Sequence, residues 1–268
     1  MTKRQSLSAS AFVPRPGHID AVRRIVDAKR QDPFFKRRHE HNVSNPPSRF
    51  SRHQFWHWMI VCICTSVQRS GPNSRVSQFE REDPFPLSLA ACVGQKNLRQ
   101  FAEAVLRSRG LRFGPKLAVQ IETNMRWLTN GGWATVKEQF DSLASGVLKI
   151  ASPPQRIAAE RAAARTVMGR NGGLAGFGPK QARNLWQCLG VTQYEIPLDS
   201  RISNWLKALP GGFEIEPSRL YASAPYYEAM MSRIQALCAA AGVLPCEFDA
   251  AAFSSTDDGA WPEVDSVL

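Results

Sequence analysis

The sequence predicts an all-α protein, and three observations carry that expectation. No segment of useful length alternates apolar and polar residues with the period of a strand. Apolar residues recur instead at helical spacing, as in Leu98, Phe101, Ala102 and Val105. Gly and Pro cut these stripes into short pieces, at Asp83-Pro84-Phe85-Pro86, Gly110, Gly114-Pro115, Asn130-Gly131-Gly132 and Ser152-Pro153-Pro154.

Taken in order, residues 1–17 read as a mobile arm and Ile19–Lys29 as a short amphipathic helix. Residues 30–53 run basic and irregular, and Asn45-Pro46-Pro47 breaks any helix there. The cluster with Phe34 and Phe35 suits either a strip laid along a phosphate backbone or a solvated loop. Ser51 is placed to cap a helix from Arg52 to Val67 that is apolar nearly all round and therefore buried. Short helices fill residues 79–151, and Val136–Ala151 and Pro154–Met168 are the last before the most informative stretch, 171–205. After it come a loop at Pro210-Gly211-Gly212-Phe213, a helix Tyr226–Ala241 closed by Gly242, and a last helix within 244–254. The acidic tail 255–268 reads as loose.

Within 171–205, Gly176-Phe177-Gly178-Pro179-Lys180 is a tight glycine turn that opens a helix. Pro179 suits the first helical position, where its missing N–H costs nothing. Such a turn presents free backbone N–H groups at a positive helix end, a seat for a phosphate. Ala182, Leu185, Trp186 and Leu189 make the apolar stripe, and Gly190 closes it. Ile196-Pro197-Leu198 reads as extended chain, and Asp199 stands where the helix Ser200–Leu209 needs its N-cap. Lys180 sits in a first helical turn, where the dipole disfavours an ammonium. A lysine with part of its population neutral can attack an electrophilic carbon and form a Schiff base. Asp199 follows nineteen residues later, near enough in a compact fold to face the same cleft.

Net charge is +11, from 34 Lys+Arg against 23 Asp+Glu, which suits a polyanionic partner but is shared by other basic proteins. No run of eighteen apolar residues exists, so no membrane span is expected, and the first residues lack the apolar core of a secretory signal. A cytoplasmic, nucleoid-associated monomer is the expectation. Cys62, Cys64, Cys92, Cys188, Cys238 and Cys246 include no CxxC pair and read as reduced core thiols. His53 and His57 have i,i+4 spacing, but no carboxylate or further ligand joins them, so no metal is expected.

The glycine turn, its lysine and the aspartate together resemble the helix-hairpin-helix DNA glycosylase superfamily, most closely members that act on 8-oxoguanine and also nick the strand. The resemblance extends over about residues 50–254. It implies an all-α fold of two lobes, one from 18–64 with 191–254 and the other from 65–190, ending in the hairpin. It assigns Lys180 as nucleophile and Asp199 as the carboxylate that stabilises charge on the sugar. It places Gly176 and Gly178 on a DNA phosphate, and puts Gln68, with Asn73 and Arg69 beside it, where the target base has left the duplex. A turn merely capped by Ser and Asn is the competing reading of that segment. Asp249 and Phe253 match the helix bordering the base pocket, although a core Phe and an exposed acid would look the same. Lys116, in Phe113-Gly114-Pro115-Lys116, repeats four letters of the turn, but Thr135 stands where the acid should be, so this segment reads as a structural helix start. Relatives that hold an iron–sulfur cluster use a C-terminal cysteine array. Cys238 and Cys246 alone cannot hold one, so no cofactor is expected.

The expected activity is excision of a damaged or modified base from double-stranded DNA through a lysine Schiff base, followed by β-elimination, with an oxidised purine as default substrate. A hypermodified base of phage DNA, removed in antiviral defence, is the alternative substrate. A non-catalytic DNA-binding module is the alternative of another class, and it would need neither Lys180 nor Asp199.

Overall fold

The computed structural model describes residues 12–66, 68 and 71–256. Among these there is no β-strand, only an isolated bridge between Met168 and Leu174. In chain order the helices are α1 (Pro16–Lys29), α2 (Pro33–His39), α3 (Arg52–Thr65), α4 (Arg75–Glu80), α5 (Leu89–Val93), α6 (Leu98–Ser108), α7 (Gly114–Trp127) and α8 (Trp133–Ala144). Then come α9 (Gly146–Lys149), α10 (Pro153–Val167), α11 (Pro179–Cys188), α12 (Ser200–Lys207), α13 (Pro217–Ala222), α14 (Ala224–Ala241) and α15 (Pro245–Ser254). The all-α expectation stands.

Two apolar cores organise them. One runs from Phe55 on α3 to Val191 and takes in α3 to α8, α10 and α11. The other joins Val22, Val26, Phe34 and Phe35 from the start of the chain to residues from Ile196 to Ala252. The division therefore falls before α3 and not after residue 64. The physical reason is the composition of α3: buried on nearly every side, it packs against α4, α5, α7 and α11, so it centres the first core.

Three further expectations change. Residues 12–17 are part of the fold: Phe12 lies edge-on to Phe213 at 5.4 Å between centroids, and Arg15 Nη1 donates to the Gly211 carbonyl at 3.1 Å. The basic stretch after α1 is not irregular. Asp32 accepts from the N–H groups of Phe34 and Phe35 and caps α2, with Pro33 at its first position, and a π-helical turn Glu40–Ser44 follows. Phe34 and Phe35 are buried, so they cannot lie along a phosphate backbone. The helix expected over 136–151 is two, α8 and α9, because Ser145 turns to extended backbone and caps α9.

No single described helix is long and apolar enough to cross a membrane. α14 and α15 reach that length and hydropathy only together, across a 94° bend. The six cysteines are free and buried.

Candidate catalytic cleft

α10 and α11 pack side by side, and Trp186 Nε1 donates to the Ala163 carbonyl at 2.9 Å. The eleven-residue connection 168–178 folds into a hairpin closed by Leu174 N to Val167 O at 3.0 Å and Gly169 N to Phe177 O at 2.9 Å. Buried Asn124 on α7 clamps its tip, donating to the Ala175 carbonyl at 3.2 Å and accepting from the Ala175 N–H at 2.6 Å. Gly176 has φ +85°, and a Cβ there would meet the Gln120 side chain at 2.8 Å, so the protein itself requires that glycine. Gly178 differs. Its backbone is extended (φ −93°, ψ −171°), it is exposed, and a Cβ would meet nothing within 4 Å. The amides of Gly176 and Gly178 donate no hydrogen bond to any described residue, so the mouth of α11 presents free N–H groups.

Lys180, in the first turn of α11, is half-buried and makes no hydrogen bond or ion pair with the described residues. The helix beneath it is held at several points. Gln181 Nε2 donates to the Cys62 carbonyl at 2.6 Å, Asn184 Nδ2 to Cys62 Sγ at 3.3 Å, and Gln187 Nε2 to Asp249 Oδ2 at 3.0 Å. The first two bind α11 to α3 and the third binds it to α15.

Asp199 is the N-cap of α12. Its Oδ1 accepts from Arg201 N at 2.9 Å and Ile202 N at 3.1 Å, and its Oδ2 faces Arg201 Nη1 at 3.4 Å. The loop carrying it is anchored by buried charges. Glu160 on α10, fully buried, accepts from the backbone N–H groups of Gln193, Tyr194 and Glu195 and from Arg156. Glu195 in turn accepts from Arg161 and from Arg183, whose guanidinium lies 4.4 Å from the centroid of the Tyr227 ring. Tyr227 Oη completes the frame by accepting from Leu198 N and donating to Ile196 O.

Lys180 and Asp199 line the same cleft, a cavity of about 500 Å³ that also includes Thr65, Gln68, Arg201, Asn204, Trp205 and Tyr221. At its inner end a further space of about 30 Å³ is bounded by Lys180, Asp199 and Arg201, and by Arg38, Asn184 and Asp249. Of the residues singled out from sequence, the structure thus brings Lys180, Asp199, Gln68, Asp249 and Phe253 to one place. Asn73 lies in the turn before α4 and does not line the cleft, and Arg69 lies outside the described residues. Lys116 is exposed on α7, away from the lining.

Gln68 Oε1 accepts from Arg112 N at 3.1 Å, which ties the end of α3 to the segment before α7. There Phe113 has φ +59° and is 51% exposed, with the Arg112 guanidinium 5.3 Å from its ring centroid. A left-handed phenylalanine turned to solvent is strained, and strain of this kind gathers at functional sites. From the sequence this segment reads as a structural helix start. The bulky residue directly before Gly114-Pro115 was the available signal.

Asp249 is buried and not the exposed helix acid that was the competing reading. Phe253 is sandwiched: the Phe34 ring stacks on it at 4.9 Å, and the Arg201 guanidinium lies 4.1 Å from its centroid on α15's cleft side. A base could stack on Phe253 only after Arg201 moved. Arg201 and Arg38 were not foreseen from sequence.

Burial pushes the Asp249 carboxyl up to about 6, against the opposing pull of Arg38 and with a further push from Asp199. The folded state therefore favours the neutral acid. The stability this gives is complete below the unfolded value near 4 and is lost as pH rises through about 6. Asp249→Asn should accordingly be more stable than the wild type at pH 7.5, by up to about 3 kcal/mol, with the gap closing at pH 4. Urea melts at the two pH values check this. A wild type that is the more stable at pH 7.5 would contradict it.

No family model, curated protein or solved structure matches this chain. Among the described residues no group of three or more His, Cys, Asp or Glu side chains is placed to hold a metal ion; His57 instead faces Glu80 at 3.7 Å.

Proposed function

We propose that the protein is a DNA glycosylase with lyase activity, which extrudes a modified base into the cleft and cleaves its bond to the sugar through Lys180. The observation that carries this reading is the meeting of Lys180 and Asp199 in one cavity, beside a helix mouth with unused N–H groups. A module that only gripped DNA would need the helix mouth but not the lysine and carboxylate behind it. The cleft has the size of a small-molecule site, and its lining includes Gln68 and Tyr221; Gln68 accepts from Arg112 N, whose chain neighbour Phe113 is exposed. These are side chains able to fill a duplex after a base has left it.

The steps follow from the chain's own groups. Hairpin N–H groups hold a backbone phosphate, which positions the strand without reading sequence. As the glycosidic bond stretches, positive charge grows on the sugar ring, and the Asp199 carboxylate stabilises it. The Lys180 amine attacks C1′ through its nitrogen lone pair, the base leaves with the bonding electron pair and gains a proton, and the amine loses one. Ring opening gives an imine. Removal of the C2′ proton then expels the 3′ phosphate by β-elimination, and water releases the lysine.

The test is borohydride reduction on a duplex carrying an abasic site, together with mass spectrometry of bases freed from a panel of modified duplexes. A covalent adduct and at least one released base are expected. Duplex binding with neither would favour the non-catalytic module.

The hairpin permits a clean test of grip alone. Gly178 has an ordinary extended backbone and a Cβ there meets nothing within 4 Å, so Gly178→Val should fold normally. Its side chain would stand where a phosphate oxygen must approach, weakening binding to damaged and undamaged duplex alike by about tenfold, roughly 1.4 kcal/mol. A gel-shift titration at two salt concentrations reads this. Wild-type affinity for undamaged duplex would remove the hairpin from the binding surface.

A further inference from the structure

A second cavity, of about 980 Å³, lies between the start of α3 and α2 with the π-helical turn that follows it. It is separate from the cleft. Gln54 and Trp58 of α3 line it, whereas the cleft takes Thr65, eleven residues beyond Gln54 and so about 16 Å further along the helix. α11 is divided in the same way: Lys180 at its start lines the cleft, and the Cys188 carbonyl at its end accepts from His41 Nε2, in the wall of the second cavity, at 2.9 Å. The volume is at the upper end for small-molecule sites, about 300–1,000 Å³. Arg30, Lys36 and Arg37 place three cations in the lining against one acid, Glu40. Lys36 is exposed and pairs with no acid among the described residues, while Arg30 is shared with Asp27 at 2.9 Å. His41 adds no further cation, because burial lowers its pKa against the opposing pull of the Cys188 carbonyl.

Trp58 supplies the second observation. A buried tryptophan usually finds an acceptor for its N–H. Trp56 Nε1 donates to the Leu87 carbonyl at 2.8 Å, and Trp186 Nε1 to the Ala163 carbonyl at 2.9 Å. Trp58 is 9% exposed, yet its N–H donates to no described residue. Its nitrogen is not sealed inside the protein, and the second cavity is where Trp58 meets open space.

We propose that this cavity binds a free nucleoside polyphosphate, whatever reaction the cleft performs. Cations spread over the end of α1 and over α2 suit more than one phosphate group, and arginine and lysine are the side chains that hold phosphate. The rest of the lining asks for more than an anion. The Trp58 N–H needs an acceptor, and the amides of Asn45 and Gln54 offer both donors and acceptors, which together match the mixed edge of a nucleobase. A hydrocarbon chain would leave all three unmet. Glu40 would repel a ligand that was anionic throughout, but its carboxylate accepts from the hydroxyls of a sugar.

The experiment is isothermal titration calorimetry of the full chain with the triphosphates of adenosine, guanosine, cytidine and uridine, with the four free nucleosides, and with inorganic triphosphate. At least one nucleoside triphosphate should bind with a Kd below about 100 μM, and its nucleoside and inorganic triphosphate at least about tenfold more weakly. Lys36→Glu reverses an exposed charge and should weaken the nucleotide by about tenfold or more, most at low salt. Trp58→Phe keeps a ring and removes the N–H. It should weaken the nucleotide by about fivefold to tenfold and leave inorganic triphosphate unchanged. Gln54→Leu, on an exposed side chain, serves the same comparison if Trp58→Phe does not fold. Lys180→Gln and Gly178→Val should bind the nucleotide as the wild type does, which separates this site from the cleft. No binding of any nucleoside triphosphate at about 1 mM overturns the proposal. So does inorganic triphosphate binding as tightly as the nucleotides, which would make the patch a general anion surface. An affinity untouched by Lys36→Glu, or lost in Lys180→Gln, would put the nucleotide elsewhere. Loss of duplex affinity in Lys36→Glu, with no nucleotide bound by the wild type, would assign these cations to DNA.

Discussion

Lys180→Gln is expected to abolish borohydride trapping and to reduce base release by about 10⁴-fold or more, with duplex affinity nearly intact. The size follows from what is removed: without the amine no imine can form, and only the electrostatic and binding contributions of the cleft remain. The fold should tolerate the change. Lys180 makes no hydrogen bond or ion pair with the described residues, and α11 is held by its neighbours Gln181, Asn184 and Gln187. Asp199→Asn makes the natural companion. Asparagine is as good an N-cap as aspartate, so its side-chain oxygen can still accept from Arg201 N and Ile202 N, while the charge and the Oδ2 contact to Arg201 Nη1 are lost. That variant should bind duplex normally and lose about 10²–10³-fold in base release, the cost of removing one preorganised stabiliser of developing charge. A Lys180→Gln protein that traps at the wild-type yield would move the nucleophile elsewhere. An Asp199→Asn protein that loses binding and rate equally would leave the carboxylate a cap and nothing more.

The two groups at the centre of this reading were legible in the sequence because each obeys a local rule. A glycine turn with Pro at the first helical position marks where α11 begins, and an aspartate after extended chain marks where α12 begins. The same holds for Ser51 before α3 and for Gly242, at φ +71°, after α14. What was not legible depends on partners distant in sequence. Nothing in the all-round apolar pattern of α3 says which of two cores it will enter. Arg38 stands in a run of cations that looks like a solvated face, and only the docking of α2 on α15, with Phe34 stacked on Phe253, takes it inside. The Asp32-Pro33 pair did signal a helix there, as N-cap and first-turn proline, and would have argued against an irregular loop. Arg201 follows Asp199 by two residues, but its place over Phe253 depends on α15 arriving from fifty residues away.

Glu160 was hidden in the same way, within an alanine-rich, arginine-studded segment that reads as a surface helix, and it carries the second large effect. Glu160→Ala should cost about 3–5 kcal/mol of stability, the range for breaking a buried charged pair from one side. Three backbone N–H groups, at Gln193, Tyr194 and Glu195, would lose their acceptor in the interior, and Arg156 would lose its partner. Glu160→Gln should lie between, since its amide NH₂ points a donor where the carboxylate offered an acceptor. The consequence reaches the cleft, because residues 193–195 lead directly into the extended chain that sets Asp199. A carboxylate held even slightly less firmly loses much of its effect on a developing charge. Urea melts would give the stability cost, and amide hydrogen exchange at residues 193–195 would show whether the loop has come loose. If Glu160→Leu proved as stable as the wild type, with those three amides still protected, the loop would be held by its apolar contacts and by Tyr227, and Glu160 would have no part in placing Asp199.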